Sequence, residues 1–466
     1  MIESFNPAAS SCLVTDHFAR FVASFRWEDI PDNVRHEAKR SLLNFFAVAL
    51  AGCNDHTLDI AARTYSRFTN RSDATVMGRC ERSDILTATA LNAMSANVYD
   101  FDDTHIPTII HPTAPVAPAI LALSETTRIA GTDFLLAFLL GVEVECRLGV
   151  AVSPRHYARG WHITSTCGVF GAAMAAGRLL RLSVPQLVWA LGIASSQASG
   201  VVECLGTMAK SVGIGNSARN GLLSALLAQE NFDGPVYALE GAKGFLHVFD
   251  DDPDIVGVVK DLGLTWEILK NTYKPYPCGV VLNPVVEACL ALSGSIGANH
   301  DLLQRIESIE LTGHPLLRQR TDRANVQTGR ESQVSAQHAV AVALIRGTAG
   351  LNDFSDAAVM DPALRALGAL VNFRDDQNMS VDAAHVVINL RADAPALAFS
   401  VDVAHGAISR PLSDEDLEKK LRELCRYGGS NCDPEQLIDS VWALEKLDDV
   451  STLLGLAAGR AQPRSP

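Results

Sequence analysis

The stretch "DNVRHEAKRSLLNFFAVALAG", residues 32–52, begins with alternating charges and ends in small and apolar residues closed by a glycine. Its apolar residues recur at three- and four-residue spacing, which predicts a helix, and Gly52 predicts its stop. The same signature repeats outward along the chain, in "DILTATALNAMSANVYDF", "GTDFLLAFLLGVEVECRLGVAV", "GVFGAAMAAGRLLRL", "VPQLVWALGIASSQASG" and "NGLLSALLAQENF". Several of these are apolar nearly all round, the mark of helices buried inside a bundle. From about residue 15 to 275 the expectation is therefore helical throughout.

Beyond Pro284 the pattern changes. "RIESIELTG" and "HVVINLRAD" alternate like half-buried strands, with "SQVSAQHAVAVALIRG" as a helix between them. From about Pro411 helical periodicity returns, with Ser413 and Asp433 as expected N-caps. The reading is a mainly α protein: a large all-helical domain from residues 1–275 together with 405–466, and a smaller α+β lid domain over 276–404. A chain of 466 residues exceeds the size at which a single core keeps growing, which agrees with two domains. The tail "GRAQPRSP" is expected to fray.

A formal charge of −14 disfavours nucleic acid and anionic lipid as partners. Ten cysteines without a CxxC pair, Cys12 among them, read as reduced thiols of a cytoplasmic protein. The N-terminus shows no leader pattern and no run is long enough to span a bilayer. GxSxG, Walker A and HExxH motifs are absent, so serine hydrolase, nucleotidase and metallopeptidase classes lose their usual support.

Titratable chemistry gathers in "VYDFDDTHIPTIIHPTAPVAP", residues 98–118. If "NVYDFDDT" ends a helix, Asp100 and Thr104 share a face at i and i+4, with Asp103 at i+3. Neighbouring carboxylates raise one another's pKa and suit proton transfer, and His111 could turn back toward them across Pro112. A capped or solvated helix end competes with this reading, as does a metal site of Asp102, Asp103, His105 and His111, which lacks the usual ligand spacing. In "ARGWHITSTCGVFGAAMAAG", His162 precedes a helix whose N-terminus could attract an anion. In "GTMAKSVGIGNSARNG", small residues around Lys210 favour close helix contact over a dinucleotide loop, because no strand precedes the glycines. In "NTYKPYPCGVVLNP", Lys274 and Tyr276 are held between prolines at the interdomain junction.

Taken in order, "DFDDTH…HP", "GWHITSTCG", "GTMAK…GNSARNG", "LEGAKGF" and "YKPYPCG" resemble the MmgE/PrpD family, which includes 2-methylcitrate dehydratases, cis-aconitate decarboxylases and iminodisuccinate epimerases. The resemblance runs from "IPDNVRHEAKRSLLNFFAVALAG" to "SRPLSDEDLEKKLREL". It implies a homodimer with its active site in a cleft between the domains, and a cofactor- and metal-independent lyase acting on a di- or tricarboxylate. It maps family residues onto Asp100, Thr104, His111, His162, Lys210 and Lys274.

In that scheme Asp100 or His162 is general acid or base, and Lys210 and Lys274 hold substrate carboxylates. Thr104 and Tyr276 orient the substrate, and His111 binds a carboxylate or protonates a leaving group. Asp102 and His105 are expected to be structural. Asn283 stands where many relatives carry histidine, and His338, able to move a proton, stands where tyrosine is common. The segment from Thr104 to His111 is one residue longer than in the decarboxylases. The leading expectation is a hydro-lyase of the 2-methylcitrate dehydratase type. Decarboxylation or epimerisation through the same carbanion is the alternative, and a non-catalytic carboxylate binder is a reading of another class.

Overall fold

The computed structural model describes residues 13–297, 300–392 and 394–459. The first dozen residues, Cys12 among them, and the tail from residue 460 lie outside them. The chain divides into two compact units, one built from residues up to Val98, Asp102–Asn271 and the chain from Asp414 onward, the other from Tyr99–Phe101 and Thr272–Ser413. Among the described residues no helix is long and apolar enough to cross a membrane.

The larger unit is a bundle of helices, including Asp32–Gly52, Ile85–Asn97, Thr113–Ser124, Gly131–Val152, Ile163–Leu179 and Ala209–Gln229. The opening stretch forms a helix over its full length, and from Ser41 to Gly52 every residue is buried. That explains why its second half shows no polar face: it has none to present to water. Asp84 starts the Ile85–Asn97 helix by accepting from the amides of Leu86 and Thr87, each at 2.9 Å. The C-terminal helix Asp414–Gly428 lies in the same unit, where Lys420 Nζ donates to Asn44 Oδ1 at 2.8 Å and Arg40 pairs with Asp414. Asp433 caps the following helix Pro434–Trp442, as its sequence predicts.

The smaller unit carries a four-stranded sheet in the spatial order 371–375, 306–313, 384–390, 397–401. Ile306–Gly313 pairs parallel with Val371–Asp375 and antiparallel with Ala384–Leu390, which pairs antiparallel with Leu397–Val401. The two inner strands are the two that alternate in the sequence. Both edge strands, "VNFRD" and "LAFSV", escape the pattern because most of their residues are at least partly exposed and carry no sharp alternation. Helices Asn283–Gly297 and Ala336–Arg346 contribute Val285, Val286, Cys289, Val340 and Ala343 to the core that the sheet covers with Ile309, Leu311, Val386 and Ile388. All nine cysteines of the described residues are free thiols.

Candidate active site

The polar stretch after residue 98 does not continue the helix before it. Ile85–Asn97 ends at Val98, Asp100 takes a left-handed backbone with φ of 52°, and Thr104–His105 forms a short strand. The expected shared helical face of Asp100 and Thr104 is therefore corrected. An aspartate tolerates this conformation better than most residues, and the turn frees residues 102–111 to form a buried loop instead.

That loop is anchored from within the larger unit. His105 Nδ1 meets Thr108 Oγ1 at 2.7 Å and its Nε2 meets Glu267 Oε2 at 3.0 Å. Glu267 also receives Lys270 Nζ at 2.7 Å, and its backbone amide donates to Glu143 Oε2 at 2.7 Å. These charges hold the Glu267 carboxyl down to about 2 against the opposing pull of burial, while burial pushes the His105 imidazole below its ordinary value. With both ring nitrogens engaged, His105 is an anchor and not a metal ligand, so the four-residue metal reading loses a member.

The anchored loop presents His111. Its Nδ1 lies 2.8 Å from the Asp103 carbonyl, which can only accept, so Nδ1 carries the proton. The same nitrogen is 3.2 Å from Asp102 Oδ1, and Asn97 Nδ2 donates to Asp102 Oδ2 at 2.6 Å. Asp102, expected to be structural, lies against the His111 ring. A proton on Nδ1 removes that atom as a cation ligand.

The His111 amide donates to Thr164 Oγ1 at 3.0 Å, tying the loop to the first turn of the Ile163–Leu179 helix. His162 is the N-cap residue of that helix, buried, with Nδ1 2.8 Å from Ser165 Oγ. Ser165 in turn touches the helix that carries Lys210. A Cβ placed on Gly213 would fall 2.7 Å from Ser165 Oγ, so the glycine is what lets the first turn of Ala209–Gln229 approach. One helix N-terminus thereby gathers His111, His162 and the turn bearing Lys210, and its free amides favour an anion there. Thr104 is buried in the same loop.

In the smaller unit, Lys274 is 4 % exposed, and its Nζ donates to Asp100 Oδ2 at 2.8 Å and to the Asp100 carbonyl at 2.6 Å. The two residues assigned by resemblance to different tasks are an ion pair. Tyr276 is half-buried, and burial pushes its hydroxyl up to about 12, so it stays a neutral donor. Asn283 heads the Asn283–Gly297 helix, buried, and its Oδ1 has no hydrogen-bond partner among the described residues. His338 places Nε2 2.7 Å from the Asp353 carbonyl and packs its ring 5.5 Å from Phe354. That nitrogen donates to a carbonyl, and burial lowers the ring's pKa, so His338 is held as a neutral packing group.

Asn271 Nδ2 donates to Asp103 Oδ2 at 2.6 Å. Asp102, Thr164, Ser165 and Asn271 were not assigned to the site from the sequence. The signals were the doubled aspartate and the hydroxyl-rich turn after His162, both equally compatible with capping.

Residues 16–256 match the MmgE/PrpD N-terminal domain and residues 276–446 the MmgE/PrpD C-terminal domain. Among curated proteins, the chain is 26% identical over 469 residues to the cis-aconitate decarboxylase of Homo sapiens, covering 97% of this chain and 95% of that protein. It is 27% identical over 476 residues to the cis-aconitate decarboxylase of Aspergillus terreus, covering 95% of each. The Mus musculus cis-aconitate decarboxylase is 27% identical over 466 residues, covering 96% of this chain and 93% of that protein.

Proposed function

Because the chain belongs to the MmgE/PrpD family, we propose that it is a lyase that decarboxylates an unsaturated tricarboxylate of the cis-aconitate class. The observation that carries this reading is the near end-to-end alignment with relatives named as cis-aconitate decarboxylases. It takes precedence over the water elimination of the 2-methylcitrate type expected from the motifs. The buried histidine pair at a helix N-terminus supports either chemistry.

Loss of carbon dioxide from a carboxylate borne on the saturated carbon beside a carbon–carbon double bond leaves an electron pair delocalised over the allyl system and an adjacent carboxylate. One proton must then be delivered to carbon. His111 Nε2 is the proposed donor, because Asp103 and Asp102 fix the ring through the opposite nitrogen. His162, steadied by Ser165, holds a substrate carboxylate together with Lys210 at the positive end of the helix. Lys274, already balanced by Asp100, stabilises developing charge when a second carboxylate competes for its ammonium. Thr104 and Tyr276 supply neutral hydrogen bonds.

The test is incubation of the purified protein with cis-aconitate, 2-methylcitrate and related acids in deuterium oxide, followed by mass spectrometry. The expected result is loss of carbon dioxide with one deuterium fixed on carbon in the product. Loss of water from the hydroxy acid makes it a dehydratase, and deuterium uptake without mass loss makes it an epimerase. Binding without turnover of any acid overturns the enzyme reading.

A further inference from the structure

One buried acid is used by none of these steps. Glu145 sits in the middle of the Gly131–Val152 helix, fully buried, and neither carboxyl oxygen has a hydrogen-bond partner among the described residues. Buried polar atoms are almost always paired, and a pair of orphaned oxygens at one carboxyl marks either a bound water or a functional group. The space is kept for it: a Cβ on Gly171 would fall 2.3 Å from Glu145 Oε2, so the carboxyl occupies the notch this glycine leaves in the Ile163–Leu179 helix. The first turn of that helix carries His162, Thr164 and Ser165.

The acid whose charge acts on Glu145 is Asp103, one oxygen of which also lacks a partner among the described residues. Its Oδ2 receives Thr113 Oγ1 at 2.5 Å and Asn271 Nδ2 at 2.6 Å, while Oδ1 is buried without one. The Asp103 carbonyl is what fixes His111 Nδ1. The ionisable groups that couple to Glu145 are Asp103, Cys146 and Cys167, every one an acid. The cations nearby are committed elsewhere: Arg147 to Glu143 and to the carbonyls of Lys260 and Thr265, Lys270 to Glu267. Burial and the Asp103 charge push the Glu145 carboxyl well above the usual range, and burial raises Asp103 to about 6. Burial and the Asp103 charge both favour the neutral form of the Glu145 carboxyl.

We propose that Glu145 is a positioning residue: it keeps the single proton of a buried carboxyl pair and hydrogen-bonds, through one internal water, to Asp103 Oδ1, thereby fixing the loop that orients His111. A bridging water gives Asp103 Oδ1 and one Glu145 oxygen the partner that neither has among the described residues. The inference rests on His111 as proton donor, and its test includes a readout that needs no turnover.

Infrared difference spectra of the resting wild-type protein at pH 7.5, against Glu145→Gln, carry a protonated-carboxyl stretch that shifts in deuterium oxide and is lost in the variant. Glu145→Gln, which keeps a donor, holds kcat/KM within about threefold of wild type with an unchanged pH profile. Glu145→Leu, which keeps the volume and loses the donor, raises the acid limb of kcat/KM by on the order of one pH unit, because Asp103 loses a hydrogen bond to its charged form. A spectrum without the protonated-carboxyl stretch overturns the proposal, whether or not the protein turns over any substrate. So does a Glu145→Leu variant that folds and keeps the wild-type acid limb. A protein that shows the stretch but decarboxylates nothing keeps the buried proton and overturns only the His111 assignment.

Discussion

Replacing Glu267 by glutamine tests whether the buried ionic anchor holds the loop that carries His111. The carboxylate meets His105 Nε2 at 3.0 Å and Lys270 Nζ at 2.7 Å, and its side chain is 9 % exposed, so water competes little for it. Its pKa falls from 4.5 to about 2 in the folded protein, which by linkage corresponds to about 3 kcal/mol of stability. The folded-state value is depressed, so that stability is complete above 4.5 and is lost as pH falls toward 2. About 2 kcal/mol of it is gone by pH 3. His105, also depressed, adds a loss of the same sign as pH falls below its ordinary value.

The amide of Glu267→Gln cannot ionise, so the variant is expected to be less stable than wild type by about 2–3 kcal/mol at pH 7, with the gap shrinking steadily between pH 5 and pH 3. Urea-unfolding midpoints followed by circular dichroism across that range measure it. A gap that stays constant with pH, or none at pH 7, refutes the assignment of Glu267 as an ionised anchor. If the anchor positions His111, kcat in the folded variant drops as well, while KM changes less.

His111→Asn removes the proposed proton donor and should lower kcat by about 10²- to 10⁴-fold with little change in melting temperature, read by carbon dioxide release and by calorimetry. Lys210→Ala should raise KM for the tricarboxylate by about ten- to a hundredfold, the worth of one hydrogen bond to a charged group, without altering the product. Gly171→Ala should destabilise the protein by about 1–3 kcal/mol, because its methyl group must displace the Glu145 carboxyl, and thermal melting detects it. Asp102→Asn keeps a hydrogen-bonding oxygen beside His111 but removes the charge, and is expected to change the pH profile of kcat/KM more than the melting temperature.

Much of this protein is legible from local pattern. Asp32–Gly52 forms the helix its spacing predicts, and the alternation in 305–313 and 385–393 marks the two central strands, because a buried stripe or face imposes its own period on the chain. The edge strands 371–375 and 397–401 are not marked, since residues facing water on much of their surface are under no such demand. The site divides in the same way. Asp100, His111, His162, Lys210 and Lys274 are candidates through the resemblance to the family, which rests on residue type and order and not on their placement.

The partners of the candidate residues are set by tertiary contacts. The sequence has two aspartates side by side, yet only the fold turns Asp102 toward His111 and ties Asp103 to Thr113 and Asn271. Spacing suggested a helical face for Asp100, whereas its left-handed backbone and its ion pair with Lys274 depend on a residue 174 positions away. Nothing in the sequence marks Glu145, which shares its helix with Asp133, Glu143 and Arg147, whereas its burial against the notch at Gly171 exists only in the folded chain. Composition and periodicity fix which faces are buried, because burial is nearly independent of partner identity. Hydrogen bonds and charge pairs depend on distance and direction between remote residues, and only the folded chain supplies those.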